Sequence, residues 1–254
     1  RREFNTGTRA TVAVVNLATS GYLGLGNDPR VRAAAHAALD RFGTHTGGCR
    51  LLSGTTDLHF ELEERLAGRL GAETVVTFSS GYVTNVSVVP ALFGPGDLVI
   101  LDRSAHRSLY DGAILSRATI RRFGHNNLDH LERILRKTSH VRRRLIAVDA
   151  VYSMEGTIAP IPDLVGLARR HGAFLLVDEA HAIGVLGDHG RGIASHFDIP
   201  SDASDIRIGT MSKALAAGEM FPAASLTITN RPPGTVVSIA AISLRESVML
   251  RLSS

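Results

Sequence analysis

From Thr74 onward the chain repeats one unit: a short apolar run followed by a stretch with the length and pattern of a helix. The runs are Val75–Phe78, Leu98–Leu101, Thr119–Phe123, Leu145–Val148, Phe174–Val177 and Ile206–Ile208. Runs that are apolar throughout, rather than alternating with polar residues, suit strands covered on both faces. The intervals leave room for crossover helices. This predicts an α/β fold: a mostly parallel sheet with helices on both faces. In such sheets ligands bind beyond the carboxyl ends of the strands. The residues after each run therefore carry the most information.

Two helices are expected before the first run. Asp28-Pro29 caps and starts one that continues from Arg30 to Phe42 and stops at Gly43. The other runs from Thr56 to Leu70, with Leu58, Leu62 and Leu66 as a single buried stripe. Between them, Gly43 to Gly54 is too rich in glycine and small polar residues for a helix. Twenty-five glycines over 254 residues fit many tight strand-to-helix turns. A hydrophobic fraction of 44% excludes disordered and fibrous classes.

The formal charge of +4 could indicate nucleic acid, but the basic residues are scattered. Short clusters such as Arg121-Arg122 and Arg142-Arg143-Arg144 are read as solvated surface. One cysteine, Cys49, excludes an internal disulfide and is read as a small packed residue in a reducing compartment. No apolar run approaches a membrane span and no signal pattern opens the chain, so the cytoplasm is expected. The start at Arg1 points to a fragment boundary or a trimmed end.

Polar residues collect at the predicted strand ends. Ser79, Ser80 and Gly81 follow one run, His106 another, and Ser153 and Glu155 a third. Phe174–Val177 leads into Asp178-Glu179-Ala180-His181, and Ile206–Ile208 leads into Gly209-Thr210-Met211-Ser212-Lys213-Ala214. A pyridoxal 5'-phosphate site needs a lysine for an imine, an acid for the pyridinium nitrogen, and amides with hydroxyls for the phosphate. Lys213 and Asp178 supply the first two. Ser80 and Gly81, opening a helix, supply amides at its positive end, and Thr210 and Ser212 supply hydroxyls. Lys213 as a base needs a lowered pKa, which burial provides.

Over about residues 12–217 the sequence resembles the α-oxoamine synthases, a branch of the fold-type I pyridoxal-phosphate enzymes. The motifs are Tyr22-Leu23-Gly24-Leu25, the Gly43 to Gly54 loop, His59 with Glu61-Leu62-Glu63, Ser80-Gly81-Tyr82, Ser153-Met154-Glu155-Gly156, Asp178-Glu179-Ala180-His181 and Gly209-Thr210-Met211-Ser212-Lys213-Ala214. The resemblance implies decarboxylative condensation of a small amino acid with an acyl-CoA or acyl-carrier thioester, and a cytoplasmic homodimer. It implies Lys213 as Schiff-base lysine and general base, Asp178 as partner of the pyridine nitrogen, and His181 as donor near the phenolic oxygen. His106 would stack on the ring and Ser153 would lie near its edge. Gly81 and Tyr82 would form the phosphate pair, with Thr210 opposite. No metal ligands are implied.

The family's 8-amino-7-oxononanoate synthases, which use alanine in biotin formation, are the model for activity. The 5-aminolevulinate synthases, 2-amino-3-ketobutyrate ligases and serine palmitoyltransferases keep glycine and serine open, because the Gly43 to Gly54 loop is at least as close to the first and last of these, and Ser20-Gly21 stands where members carry an asparagine before Tyr-Leu-Gly. An aminotransferase or lyase of the same fold is a further alternative. After Ala217 the family pattern is lost. Three parts are expected: an N-terminal segment (1–45), a cofactor-binding large domain (46–217) and a divergent tail (218–254) in which no small C-terminal domain is recognisable. A turn at Arg231–Gly234 and a short helix through Arg245 and Arg251 are expected there, and an inactive or partial fragment is the rival reading.

Overall fold

The computed structural model of the chain describes residues 2–5, 11–217 and 225–229. Strands β1 (Arg2–Asn5) and β2 (Thr11–Val14) pair as an antiparallel hairpin. Helix α1 (Pro29–Phe42) follows, with the Asp28 carboxylate accepting from Arg30 N at 2.8 Å and Gly43 closing it at φ 73°. Helix α2 (Asp57–Leu70) ends at Gly71, and strand β3 (Thr74–Phe78) begins the large sheet. Then α3 (Gly81–Leu92), β4 (Leu98–Asp102), α4 (Arg107–Ser116), β5 (Thr119–Phe123), α5 (Leu128–Lys137) and β6 (Arg144–Asp149) alternate. The order continues with α6 (Ile161–His171), β7 (Phe174–Asp178), the short α7 (Ile193–His196), β8 (Ile206–Thr210) and β9 (Ser225–Thr229).

The seven-stranded sheet has the order β3-β9-β8-β7-β6-β4-β5. Five neighbours from β8 to β5 are parallel, and β9 runs antiparallel to both β8 and β3. The alternation seen from Thr74 onward is thus the observed α/β architecture.

Strand periodicity divides the core into two layers. Leu98, Ile100, Ile146, Val148, Leu175 and Val177 face Leu131 and Leu135 of α5 and Leu164 and Ala168 of α6. Val99, Leu101, Leu145, Ala147, Leu176, Ile206 and Ile208 face Val88 and Val89 of α3 and Leu109 and Ala113 of α4. Every residue of β4, β6 and β8 is buried. The edge strand β5 is not, because Arg121 and Arg122 replace its apolar residues and only Phe123 is fully buried.

Three expectations are corrected. On α2 the stripe is buried only toward its end: Leu66 and Leu70 pack beside β3, whereas Leu58 lies beyond that contact and is exposed. Cys49 is exposed, since its loop lies outside the three apolar clusters. Arg144 is buried rather than solvated, because it opens a central strand and donates to the carbonyls of Leu135 and His171, the unmet acceptors at two helix ends. Arg143 beside it pairs with Asp97. The expected turn at Arg231–Gly234 and helix near Arg245 lie outside the described residues.

Candidate active site

The site is built at the carboxyl ends of β6, β7 and β8, on the face covered by α3 and α4. Asp178 ends β7 and is in register with Asp149 at the end of β6 and Ile208 in β8. Side chains alternate along a strand, so Asp178 shares the face of Leu176 while Glu179 goes to the other side. Asp178 Oδ1 accepts from Ala180 N at 3.0 Å, and Oδ2 accepts from Asn85 Nδ2 at 2.7 Å. A carboxylate offers about four lone-pair positions, so room is left for another donor. Its pair of charges in the sequence therefore splits: Asp178 points to the site, and Glu179 makes a buried ion pair with Arg207 at 2.6 Å.

Lys213 lies three residues beyond the end of β8. Burial pushes its amine below the ordinary lysine range, and the carboxylates of Asp178 and Asp149 oppose that shift only in part. Asp149 is pushed well above the usual carboxylate range by burial and then by the like charge of Asp178. Asp149 Oδ1 also accepts from the backbone N–H of His106 at 3.2 Å.

His106 caps α4, its Nδ1 accepting from Ser108 N at 3.3 Å. The ring is exposed, which leaves its faces available. His181 is half-buried and its Nδ1 lies 2.6 Å from the hydroxyl of Tyr22, which reaches in from the segment before α1. Burial, followed by the positive charge of Lys213, lowers the His181 pKa to about 4, against the pull of Asp178. An unfolded chain binds a proton at this histidine below about pH 6.5, whereas the folded one resists until about 4. The unfolded state therefore holds more protons in that window, and stability falls as pH drops through it. NMR titration of His181 should show a midpoint near 4, and His181→Gln should reduce the acid sensitivity of the thermal midpoint between pH 6.5 and 4.

Ser80 caps α3, accepting from Val83 N at 3.2 Å. The helical ladder leaves the amides of Gly81 and Tyr82 without an intrahelical acceptor. The Tyr82 ring is exposed and its hydroxyl donates to Asp111 at 2.9 Å, so any contribution to an anion here comes from its amide. The hydroxyls of Thr210 and Ser212 are 2.8 Å apart. Ser153 is exposed in the turn between Val151 and Ile158.

Sequence reading missed Asn85, Ser108 and Asp149. Asn85 had a signal: it is a polar residue one helical turn after Gly81, in a helix otherwise dominated by valines. Ser108 two residues after His106 is a cap pattern, and Asp149 stands at the very end of an apolar run. The Gly43 to Gly54 loop is tied to the sheet by Arg50. Its guanidinium pairs with Glu63 at 2.5 Å and donates to Thr77 Oγ1 at 2.6 Å. Glu63 Oε1 accepts from Thr77 N at 2.8 Å, which satisfies one amide on the outer edge of β3, the end of the sheet among the described residues.

A family model described as aminotransferase class I and II matches residues 12–219. The chain is 46% identical over 215 residues to an 8-amino-7-oxononanoate synthase of Geobacter sulfurreducens, covering 85% of this chain and 55% of that one. It is 43% identical over 249 residues to one of Citrifermentans bemidjiense, covering 92% of this chain and 64% of that relative. Among solved structures, Sphingomonas wittichii serine palmitoyltransferase superposes with a TM-score of 0.79 at 38% identity, over 84% of this chain and 52% of that one. The 8-amino-7-oxononanoate synthase of Francisella tularensis superposes with a TM-score of 0.73 at 25% identity, over 95% of this chain and 62% of that one. The chain thus spans between about half and two thirds of these proteins. Its match over residues 12–219 and the strand-end residues agree: this chain belongs to the aminotransferase class I and II family.

Proposed function

We propose that this chain carries the cofactor wall of a pyridoxal-phosphate enzyme that condenses a small amino acid with an acyl-CoA or acyl-carrier thioester and releases carbon dioxide. The observation that carries this reading is one pairing: the half-buried Lys213, three residues beyond β8, and the carboxylate of Asp178, buried at the end of the adjacent parallel β7, coupled by charge. A buried cation and anion each need a partner. A group with an aldehyde for one and a protonated ring nitrogen for the other meets both needs.

When bound, pyridoxal phosphate supplies an electron-withdrawing ring that stabilises negative charge on the amino-acid carbon beside the nitrogen. Lys213 would hold it covalently through Nζ and, once displaced by substrate, move a proton at the reacting carbon. Its lowered pKa brings the amine toward the range in which a base works at neutral pH. Asp178 would keep the ring nitrogen protonated. His106 would lie against the ring, with His181 and Ser153 toward its phenolic oxygen. The amides of Ser80, Gly81 and Tyr82 and the hydroxyls of Thr210 and Ser212 would hold the phosphate.

The relatives named 8-amino-7-oxononanoate synthase favour alanine as the amino acid. The likeness to serine palmitoyltransferase and Ser20-Gly21 before the Tyr22 motif keep serine and glycine as the second reading. We place the protein in the cytoplasm, and among the described residues no helix is long and apolar enough to cross a membrane. A homodimer is supported by the exposed apolar side chains Leu51, Leu52, Phe60 and Met154. The division into segments 1–45, 46–217 and 218–254 is part of this reading.

Incubation with pyridoxal phosphate is expected to give a visible Schiff-base band, and borohydride is expected to fix the cofactor on Lys213. Lys213→Ala should abolish both. A wild-type chain with no band and no modified lysine would sink the proposal. Carbon dioxide release with alanine, serine or glycine and an acyl-CoA series then identifies the amino acid.

A further inference from the structure

Asn85 and Ser108, neither of them given a role above, connect the acid of the site to its exposed imidazole. Asn85 on α3 is 1% exposed and Ser108 on α4 is 0% exposed. The Asn85 amide nitrogen donates to Asp178 Oδ2 at 2.7 Å and to Ser108 Oγ at 2.8 Å. Its Oδ1 is buried and has no hydrogen-bond partner among the described residues. Turning the amide over would place Oδ1 against the carboxylate, two acceptors in contact. The orientation is therefore set by Asp178, and both N–H groups are committed.

Ser108 passes this constraint on. Its hydroxyl oxygen lies 2.6 Å from His106 Nδ1, and its backbone N–H points at the same nitrogen from 3.3 Å. A backbone N–H only donates, so Nδ1 is the acceptor and bears no proton. The hydroxyl accepts from Asn85 and turns its own hydrogen to Nδ1. In the neutral ring the proton is then on Nε2. A second tie, from His106 N to Asp149 Oδ1 at 3.2 Å, holds the backbone beneath the ring.

We propose that Asn85 and Ser108 are positioning residues that relay the orientation of Asp178 to His106, fixing its Nε2–H tautomer and the plane of its ring. The two groups expected against the cofactor's nitrogen and its face would then be one hydrogen-bonded unit, Asp178–Asn85–Ser108–His106. The inference rests on the cofactor reading above and adds residues to it. It also accounts for two buried polar side chains on α3 and α4, helices that otherwise give Val88, Val89, Leu109 and Ala113 to the apolar core.

The test reads the imidazole directly. With ¹⁵N-labelled histidine in the 254-residue chain, before and after addition of pyridoxal phosphate, His106 is assigned by the signal lost in His106→Gln. The expected result is a bare Nδ1 and a protonated Nε2 in the wild type. Ser108→Ala removes one hydroxyl and should raise the share of the Nδ1–H tautomer about fivefold, the worth of one net hydrogen bond. Pyridoxal-phosphate affinity, followed by absorbance, should fall by about the same factor. A wild-type proton on Nδ1, or a tautomer ratio unmoved by Ser108→Ala, overturns the proposal. A wild-type chain that binds no pyridoxal phosphate sinks the cofactor reading instead, and the unloaded chain still decides the relay.

Discussion

Arg207→Met is expected to lower the unfolding free energy by about 3–5 kcal/mol, a large part of the roughly 5–15 kcal/mol that stabilises a typical domain. Arg207 is 1% exposed and serves three acceptors from one guanidinium. Nε donates to Glu179 Oε1 at 2.6 Å, Nη1 to the carbonyl of Leu70 at 3.0 Å, and Nη2 to the carbonyl of Arg191 at 3.5 Å. Methionine matches the volume but leaves the Glu179 carboxylate buried without its cation, with Ile193 N still donating to Oε2 at 2.7 Å. The stranded charge dominates the loss, not the absent attraction. The double variant Arg207→Met with Glu179→Leu should therefore be more stable than Arg207→Met alone. Urea midpoints for the wild type, each single variant and the pair measure this, and a double variant less stable than both singles would refute it. Space is equally restrictive here, since a Cβ on Gly192 would lie 2.1 Å from Glu179 Oε2.

Leu176→Ala is expected to cost about 2–5 kcal/mol through lost burial and the cavity left behind. Leu176 is fully buried in β7, between Leu145, Ala147, Ile206 and Ile208 of the α3/α4 layer. It is two residues before Asp178 on the same face, so the cavity would open beside the site. Loss of cofactor affinity is expected to accompany loss of stability, measured by denaturation and by absorbance titration of the same samples. Leu115→Ala, at a residue 60% exposed, should stay within about 0.5 kcal/mol of wild type. Equal effects at the two positions would contradict the burial argument.

Much of this site was legible without coordinates because parallel strands put function at their ends. Lys213, Asp178, His181, His106 and Ser80 each follow an apolar run, and the structure puts each at or beyond the end of a strand or at a helix start. What each one touches was not legible. Asp178 and Glu179 are consecutive acids in one motif, yet strand alternation sends one to the site and the other to a buried arginine. Arg144 reads as part of a solvated basic cluster, and nothing in the Ile206–Ile208 run names the acceptors of Arg207. Their burial follows from carbonyls and a carboxylate contributed by other elements, such as the carbonyl of Leu70, which is 137 residues from Arg207.

The chain's own pattern determined the alternation of strands and helices, the caps at Asp28 and Ser80, and the strand-end residues that resemble a pyridoxal-phosphate site. These depend on neighbours a few residues apart. Tertiary structure decided the insertion of β9 between β3 and β8, the lowered pKa values of Lys213 and His181, and the line of hydrogen bonds from Asp178 through Asn85 to His106. Each of these depends on burial and on partners from separate elements, and only the folded packing of α3 and α4 on the sheet brings those together.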